Sequence, residues 1–186
     1  MNMRQVVRFL ERTLLRRSLP AKFDDFLIQN FGAETAKQVG RDLKLIELFK
    51  GRTINGDELV SIDLVRQAVE RFQNMLRDSP PLHDVDVSIV VTAHNHVINT
   101  LVCLSSLLRQ ASNFNFEIII GDNASSDGTA NLIANLKKPF VPLRHTENLG
   151  YLRNCNACCK HARGKYIVLL NNDTITLPGW LDALVN

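Results

Sequence analysis

The chain lacks a long apolar run and a strong excess of either charge. No segment of its 186 residues approaches the roughly 18 consecutive uncharged apolar residues that a membrane-spanning helix needs. Its 22 Lys and Arg residues and 19 Asp and Glu residues leave a net charge of +3. That charge is too small to indicate nucleic acid as the main partner. We therefore expect no transmembrane helix and look for partners in local sites.

Features of exported proteins are also scarce. Charged residues such as Arg4, Arg8 and Glu11 interrupt the apolar positions near the N-terminus, which argues against a secretory signal peptide. Without an export signal the four cysteines are expected to be reduced, which favours a cytoplasmic location. Cys155 and Cys158 form a C-x-x-C, but no second ligand pair follows at zinc-finger spacing. We interpret both, together with Cys159, as small buried thiols on a helix.

Residues 1–79 show helical periodicity throughout, and their role cannot be assigned from the sequence. Apolar and polar positions predict helices over 3–19, 23–31, 33–50 and 57–76. In the first of these, an arginine recurs every four residues opposite the apolar face. This stripe could contact anionic lipid at the cytoplasmic membrane face, or it could be the solvated side of an ordinary packed helix.

The pattern changes after Ser79-Pro80-Pro81, where two prolines cannot continue a helix. We place a linker at 80–85 and a second unit at 86–186. Apolar runs in this unit alternate with helical stretches; the runs lie at 87–91, 116–120, 140–143 and 166–170, and the helical stretches near 97–110, 128–136 and 151–163. Such alternation predicts an α/β fold with a mostly parallel sheet.

Polar residues follow most of the predicted strands. Ligands of open parallel sheets bind beyond the carboxyl ends of the strands, so function is sought in these segments. They include 92–95 after the first strand, 121–129 after the second and 171–174 after the fourth. The first segment, Thr-Ala-His-Asn, has neither the glycines nor the lysine of a phosphate-binding loop. This argues against a nucleotidyltransferase with a similar sheet.

Four blocks in order carry a resemblance to a known family. The segments Val87–Asn95 and Glu117–Thr129 resemble the opening of family 2 glycosyltransferases. Asn148-Leu149-Gly150 and the stretch from Gly164 to Thr174, followed by Pro-Gly-Trp-Leu, resemble the rhamnosyltransferase-like branch. The resemblance covers about 86–186 and only the N-terminal half of the catalytic domain. It implies a truncated, Rossmann-like GT-A fold.

The resemblance also implies a nucleotide-sugar site. Its residues would be Thr92, Asn95, Asp122, Asn123, Asn148, Gly150, Arg153 and Asn172. An ionised carboxylate only accepts hydrogen bonds, so Asp122 suits the imide N–H of uracil or thymine. Asn95 could instead satisfy backbone groups of its loop. Asp127 precedes a helix, and we interpret it as a helix cap.

Asn171-Asn172-Asp173 stands where the family has the Asp-x-Asp motif that holds a divalent metal. The resemblance implies Asp173 and Asn171 as ligands of Mg²⁺ or Mn²⁺, which take oxygen ligands. Asn171 replaces a carboxylate and offers only a neutral carbonyl oxygen, which weakens the expected affinity. A simple turn at the end of the strand is the alternative interpretation.

The resemblance implies transfer of a sugar from a UDP- or dTDP-sugar to a glycan or lipid-linked acceptor with inversion, as in polysaccharide biosynthesis. The general base of that reaction is expected beyond Asn186, so the chain is expected to be a fragment. The alternative is a non-catalytic nucleotide-sugar-binding or interaction module. The first hypothesis requires the carboxylates of Asp122 and Asp173 to face one accessible cleft.

Overall fold

A computed structural model describes residues 28–29, 33–49, 59–77, 84–109, 111–134 and 136–186. The predicted helix over 3–19, with its arginine stripe, and the Ser-Pro-Pro segment at 79–81 lie outside these residues. Within the part that is described, no helix combines the length and apolar character needed to cross a bilayer.

Helices and strands alternate from residue 87 onwards, after two helices. The helices are α1 (Ala33–Phe49), α2 (Leu59–Arg77), α3 (Val97–Leu108), α4 (Thr129–Ala134), α5 (Tyr151–Cys159) and α6 (Trp180–Val185). The strands are β1 (Val87–Ala93), β2 (Phe116–Asp122), β3 (Phe140–Arg144) and β4 (Tyr166–Asn171). The predicted helix at 151–163 is shorter than expected, because the chain turns at 160–161 and Arg163 instead hydrogen-bonds Glu117.

The four strands form one parallel sheet in the order β3-β2-β1-β4. This confirms the predicted α/β class. The whole of β1 and all but the first residue of β2 are buried. Parallel strands covered on both faces favour apolar residues on both faces, which explains the continuous Val and Ile runs at 89–91 and 118–120 rather than an alternating pattern.

Helices cover both faces of the central strands. On one face, Leu104 and Leu107 of α3 join Ile89 and Ile118 in the main core. On the other face, the fully buried Cys158 of α5 lies in a small cluster with Val90 and Ile119. Cys155 is buried as well, so the interpretation as buried helical thiols is confirmed for these two residues. Cys159 is on the same helix but only partly buried.

The N-terminal helices α1 and α2 pack on the α/β unit. Phe72 of α2 is 2% exposed and its ring meets that of Phe140 edge to face, with centroids 6.0 Å apart. Asp42 of α1 forms a partly buried ion pair with Arg109, just after α3. Both helices therefore contact the α/β unit. The division at 80–85 stays a prediction.

Strand β4 lies at the edge of the sheet formed by the described residues. Its Val168 and Leu170 pack against the main core. Ile167 and Leu169, on the opposite face, are 48% and 52% exposed. This face of β4, the edge strand, is therefore an uncovered apolar surface.

Candidate functional site

The ends of the strands lie in register at one edge of the sheet. Asp122 at the end of β2 is opposite Ala93 of β1 and Arg144 of β3. Thr92, which is buried, is opposite Asn171 of β4. With parallel strands about 4.8 Å apart, the backbones of Asp122 and Asn171 are separated by about 10 Å. The structure therefore brings the loops after β1, β2 and β4 together, as the sequence predicts.

Asn95 joins the loop after β1 to the loop after β2. Its Oδ1 accepts hydrogen bonds from the backbone N–H groups of Ser126 at 2.8 Å and Asp127 at 3.3 Å. Its own N–H donates to Oγ of Ser125 at 2.7 Å. Asn95 has a φ of 59°, a left-handed conformation that asparagine tolerates. These contacts favour the loop-backbone role over direct contact with a nucleotide.

The helix-cap interpretation of Asp127 is confirmed, and the carboxylate serves two helices. Oδ1 accepts from Thr129 N at 2.9 Å at the start of α4, and Oδ2 accepts from Val97 N at 3.0 Å at the start of α3. Burial alone would raise the pKa of Asp127, but the hydrogen bonds from Thr129 and Val97 outweigh it and lower the pKa. Asp127 is therefore a charged structural link.

Asn123 and Asn148 hydrogen-bond to each other. Nδ2 of Asn123 donates to Oδ1 of Asn148 at 2.7 Å, and Oδ1 of Asn123 accepts from Leu149 N at 2.8 Å. Oδ1 of Asn148 also accepts from Gly150 N at 2.8 Å. Nδ1 of His94 lies 2.8 Å from the carbonyl oxygen of Asn123, so that nitrogen carries the proton. Three loops are thus connected, and these two asparagine side chains are largely occupied.

Asp122 differs from the expectation of an accessible carboxylate, because its side chain is fully buried. Oδ1 accepts from Ser125 N at 3.0 Å. Oδ2 has no hydrogen-bond donor among the described residues, although Nε of Arg144 lies 3.5 Å away as an ion pair. The turn after β2 folds the carboxylate inward, and the exposed Arg144 side chain lies beside it. An unsatisfied buried carboxylate oxygen is costly, so Oδ2 is an open acceptor for a donor that can reach it.

Residues near Asp122 that the sequence interpretation missed support the backbone on both sides of it. Nδ2 of the buried Asn154 donates to the carbonyl oxygen of Gly121 at 3.0 Å, and its Oδ1 lies 3.0 Å from Nε2 of His145. The N–H of His145 donates to the carbonyl oxygen of Asp122 at 2.9 Å. The one sequence signal that could have indicated Asn154 is that it is a polar residue on the otherwise apolar inner face of α5.

The loop after β4 presents Asp173 to solvent. Asn171 and Asp173 are exposed, while Asn172 is half-buried and its Nδ2 donates to Oγ1 of Thr100 at 2.9 Å. The amide of Asn172 therefore anchors the loop to α3. Burial raises the pKa of Cys103, which lies beneath this loop, to about 12, so its thiol stays protonated at neutral pH.

The oxygen ligands at this edge suit a cation that a bound phosphate group also coordinates. Within the described ranges, no group of three or more His, Cys, Asp or Glu side chains could hold a metal ion. The candidate oxygen ligands in the loop after β4 are one carboxylate, from Asp173, and one side-chain amide oxygen, from Asn171. Mg²⁺ is commonly held by one or two carboxylates together with substrate phosphates, and this oxygen set has that composition.

Gly150 and Arg153 lie at the start of α5. Gly150 has a φ of 73°, which fits the expectation that glycine is needed there for a positive φ. Arg153 is exposed in the first turn. Its role as a phosphate contact stays a prediction.

The comparisons with known proteins agree with this arrangement. The family model described as glycosyl transferase family 2 matches residues 88–186, more than half of the chain. The chain belongs to glycosyl transferase family 2. The matched segment contains β2, β3 and β4, all of β1 except Val87, and each of the predicted site residues.

Curated relatives match about half to two thirds of the chain and are much longer. An uncharacterized protein of Mycobacterium tuberculosis is 35% identical over 99 residues, which are 53% of this chain and 31% of that protein. An uncharacterized glycosyltransferase of Rickettsia felis is 34% identical over 95 residues, 50% of this chain and 16% of that protein. The dolichyl-phosphate beta-glucosyltransferase of Dictyostelium discoideum is 26% identical over 133 residues, 64% of this chain and 40% of that enzyme. The chain thus spans well under half the length of these family 2 relatives.

Solved structures with a similar chain trace include Staphylococcus aureus TarS 1-349 in complex with UDP, with a TM-score of 0.47 and 22% identity over 54% of this chain and 31% of that one. The mannosyltransferase PcManGT from Pyrobaculum calidifontis, in complex with GDP-Man and Mn²⁺, gives a TM-score of 0.40 and 18% identity over 73% of this chain and 39% of that one.

Proposed function

We propose that this chain holds the nucleoside diphosphate part of a sugar donor at the carboxyl ends of β1, β2 and β4, within a family 2 glycosyltransferase. The observation that carries the proposal is the register of these strands, which places the loops bearing Asp122 and Asp173 at one edge of the sheet. Family membership supports the reaction class. The donor is a UDP- or dTDP-sugar, and the acceptor is a glycan or lipid-linked molecule.

Asp173 and Asn171 are the proposed ligands of Mg²⁺ or Mn²⁺. When bound there, such an ion neutralises the negative charge that develops on the departing nucleoside diphosphate. The role of the chain is to present the Asp173 carboxylate, which is exposed in the loop after β4. Because Asn171 contributes no charge, we expect the ion to bind weakly without the nucleotide and more tightly with it.

Asp122 is the proposed contact for the base. Its Oδ2 is buried without a hydrogen-bond donor, and an imide N–H of uracil or thymine would supply one. The side chain of Arg144 is 61% exposed and lies beside this oxygen, so we propose that it moves aside when the base enters. This movement is required because Asp122 is closed to solvent in the present arrangement.

None of the described residues is proposed as the general base of the transfer. An inverting transfer needs a general base close to the attacking acceptor hydroxyl. The proposed catalytic activity therefore applies to the chain together with such a group. A non-catalytic nucleotide-binding module is the alternative. The titration described next distinguishes it from the metal-dependent proposal.

Calorimetric titration of the chain with UDP and with dTDP, each with and without Mn²⁺, tests the proposal. We expect binding that strengthens at least about tenfold with Mn²⁺, and we expect Asp173→Ala to abolish that gain, because the carboxylate is the charged ligand. Asp84→Ala is the matched control, since Asp84 is exposed just before β1, at the other end of the strands. The non-catalytic alternative would be favoured if the nucleotide affinity did not depend on Mn²⁺, or if Asp173→Ala left the Mn²⁺-dependent gain in affinity unchanged.

A further inference from the structure

One stripe of helix α3 holds the loop that follows β4. Thr100, Cys103 and Ser106 recur every three residues, so they lie on successive turns of the same face. All three side chains are fully buried. Each contacts a different part of the segment 171–176. That segment carries Asp173, whose own side chain is exposed.

The hydroxyl of Thr100 is oriented to accept a hydrogen bond from the loop. Oγ1 donates to the carbonyl oxygen of His96, one turn earlier in the chain, at 3.4 Å. A lone pair of the same oxygen accepts from Nδ2 of Asn172 at 2.9 Å. Asn172 immediately precedes Asp173, so this contact fixes the chain where it enters the proposed metal ligand.

Cys103 and Ser106 hold the loop on either side of that point. Sγ of Cys103 donates to the carbonyl oxygen of Asn171 at 3.6 Å. Oγ of Ser106 donates to the carbonyl oxygen of Cys103 at 2.8 Å and accepts from Thr176 N at 3.0 Å. Oγ1 of Thr176 also lies 3.0 Å from Oγ of Ser106. The loop is thus bound to α3 at its first two residues and at its end.

We propose that Thr100, Cys103 and Ser106 are positioning residues for Asp173. The Asp173 carboxylate makes no hydrogen bond to another described side chain, so its location depends on the backbone that the stripe holds. The stripe presents this carboxylate toward the cation shared with the nucleotide diphosphate. Loss of a group that orients a metal ligand typically weakens metal binding about 10- to 100-fold. The inference rests on the proposed function, because it assumes that Asp173 binds the ion.

The test measures Mn²⁺ uptake by the chain in the presence of UDP or dTDP, from the electron paramagnetic resonance signal of free Mn²⁺. Thr100→Val removes the oxygen that accepts from Asn172 and is expected to weaken Mn²⁺ binding about tenfold. Thr100→Ser keeps the oxygen and should restore the affinity. UDP affinity without Mn²⁺ should stay the same in both variants, since the base contacts lie on other loops.

Ser105→Ala is the matched control for this series. Ser105 is a buried hydroxyl on the same helix, and it donates to the carbonyl oxygen of Leu101. We expect its loss to affect stability without affecting Mn²⁺ uptake. Equal weakening by Ser105→Ala and Thr100→Val would overturn the positioning role, because general loosening of α3 would then explain both.

Two further results separate the inference from the proposed function. If the wild-type chain takes up Mn²⁺ and Thr100→Val takes it up equally well, the positioning role is overturned and the proposed function is not. If the wild-type chain takes up no Mn²⁺ with either nucleotide, the metal role of Asp173 is overturned and the positioning role falls with it.

Discussion

Glu117 is a buried carboxylate at the end of β2 opposite the candidate site. Its side chain is 1% exposed and accepts hydrogen bonds from Ser88 Oγ at 2.7 Å, from Arg163 N at 2.9 Å and from the Arg163 guanidinium at 2.7 and 2.9 Å. Burial alone would raise the pKa of Glu117, but these hydrogen bonds lower it below its usual 4.5. The ionised form is therefore the form that stabilises the fold.

This network predicts a pH dependence of stability. Because the folded-state pKa lies below the unfolded one, the contribution is complete above the unfolded pKa and is lost as the pH falls through the folded pKa. At about pH 7, Glu117→Gln should lower the free energy of unfolding by about 1 to 3 kcal/mol. Urea unfolding between about pH 7 and about pH 3 should show a smaller acid-induced loss in the variant.

The exposed Glu147 supplies the control, since Glu147→Gln should leave the pH profile unchanged. A Glu117→Gln variant with the same pH profile as the wild type would contradict the role of this network.

The role of a residue could be predicted from the sequence where it depends on the residue's position relative to a helix or strand. It was harder to predict where it depends on side-chain contacts between loops. Asp127 lies two residues before α4, so its capping role followed from position alone. The expected nucleotide contacts of Asn123 and Asn172 stay predictions, and the structure shows both amides hydrogen-bonded within the protein. An amide can bond a ligand or another loop equally well, and the sequence does not say which loops approach each other.

At the scale of elements, α2 packs against the sheet. Phe72 belongs to the main core and contacts Phe140 of β3. Replacing it with alanine removes that contact and leaves a cavity. Phe72→Ala should therefore lower the free energy of unfolding by about 3 to 5 kcal/mol, measured by chemical denaturation.

Gln73 is the matched position, because it is exposed on the same helix. Gln73→Ala should change stability by less than about 0.5 kcal/mol. A Phe72→Ala chain that unfolds in two separate transitions, with the sheet as stable as in the wild type, would show that α2 folds apart from it.

The types of element were well predicted, and their mutual packing was not. Hydrophobic periodicity located α1 and α2 and all four strands, because buried faces impose a period on the sequence. Periodicity does not name the partner of an apolar face. Phe72 could therefore be placed on the inner side of a helix, but its contact with Phe140, across 68 positions of the chain, could not be predicted.

For the whole molecule, the central claim is that two strand-end loops act on one ligand. Strand register places Asp122 and Asn171 at the same edge, about 10 Å apart. The general rule that ligands bind at this edge made the location predictable. The burial of Asp122 was not, because it depends on how the turn at 123–125 folds back over the carboxylate.

Paramagnetic broadening by Mn²⁺ in the presence of UDP or dTDP tests that claim most directly. We expect selective loss of the backbone amide signals of Asn172–Thr174 and of Asn123–Ser125, while Glu117 and Lys165, at the other end of the strands, stay sharp. Asp173→Ala should remove the effect at both loops together. Broadening confined to one loop, or centred away from the carboxyl ends of the strands, would contradict a single nucleotide site.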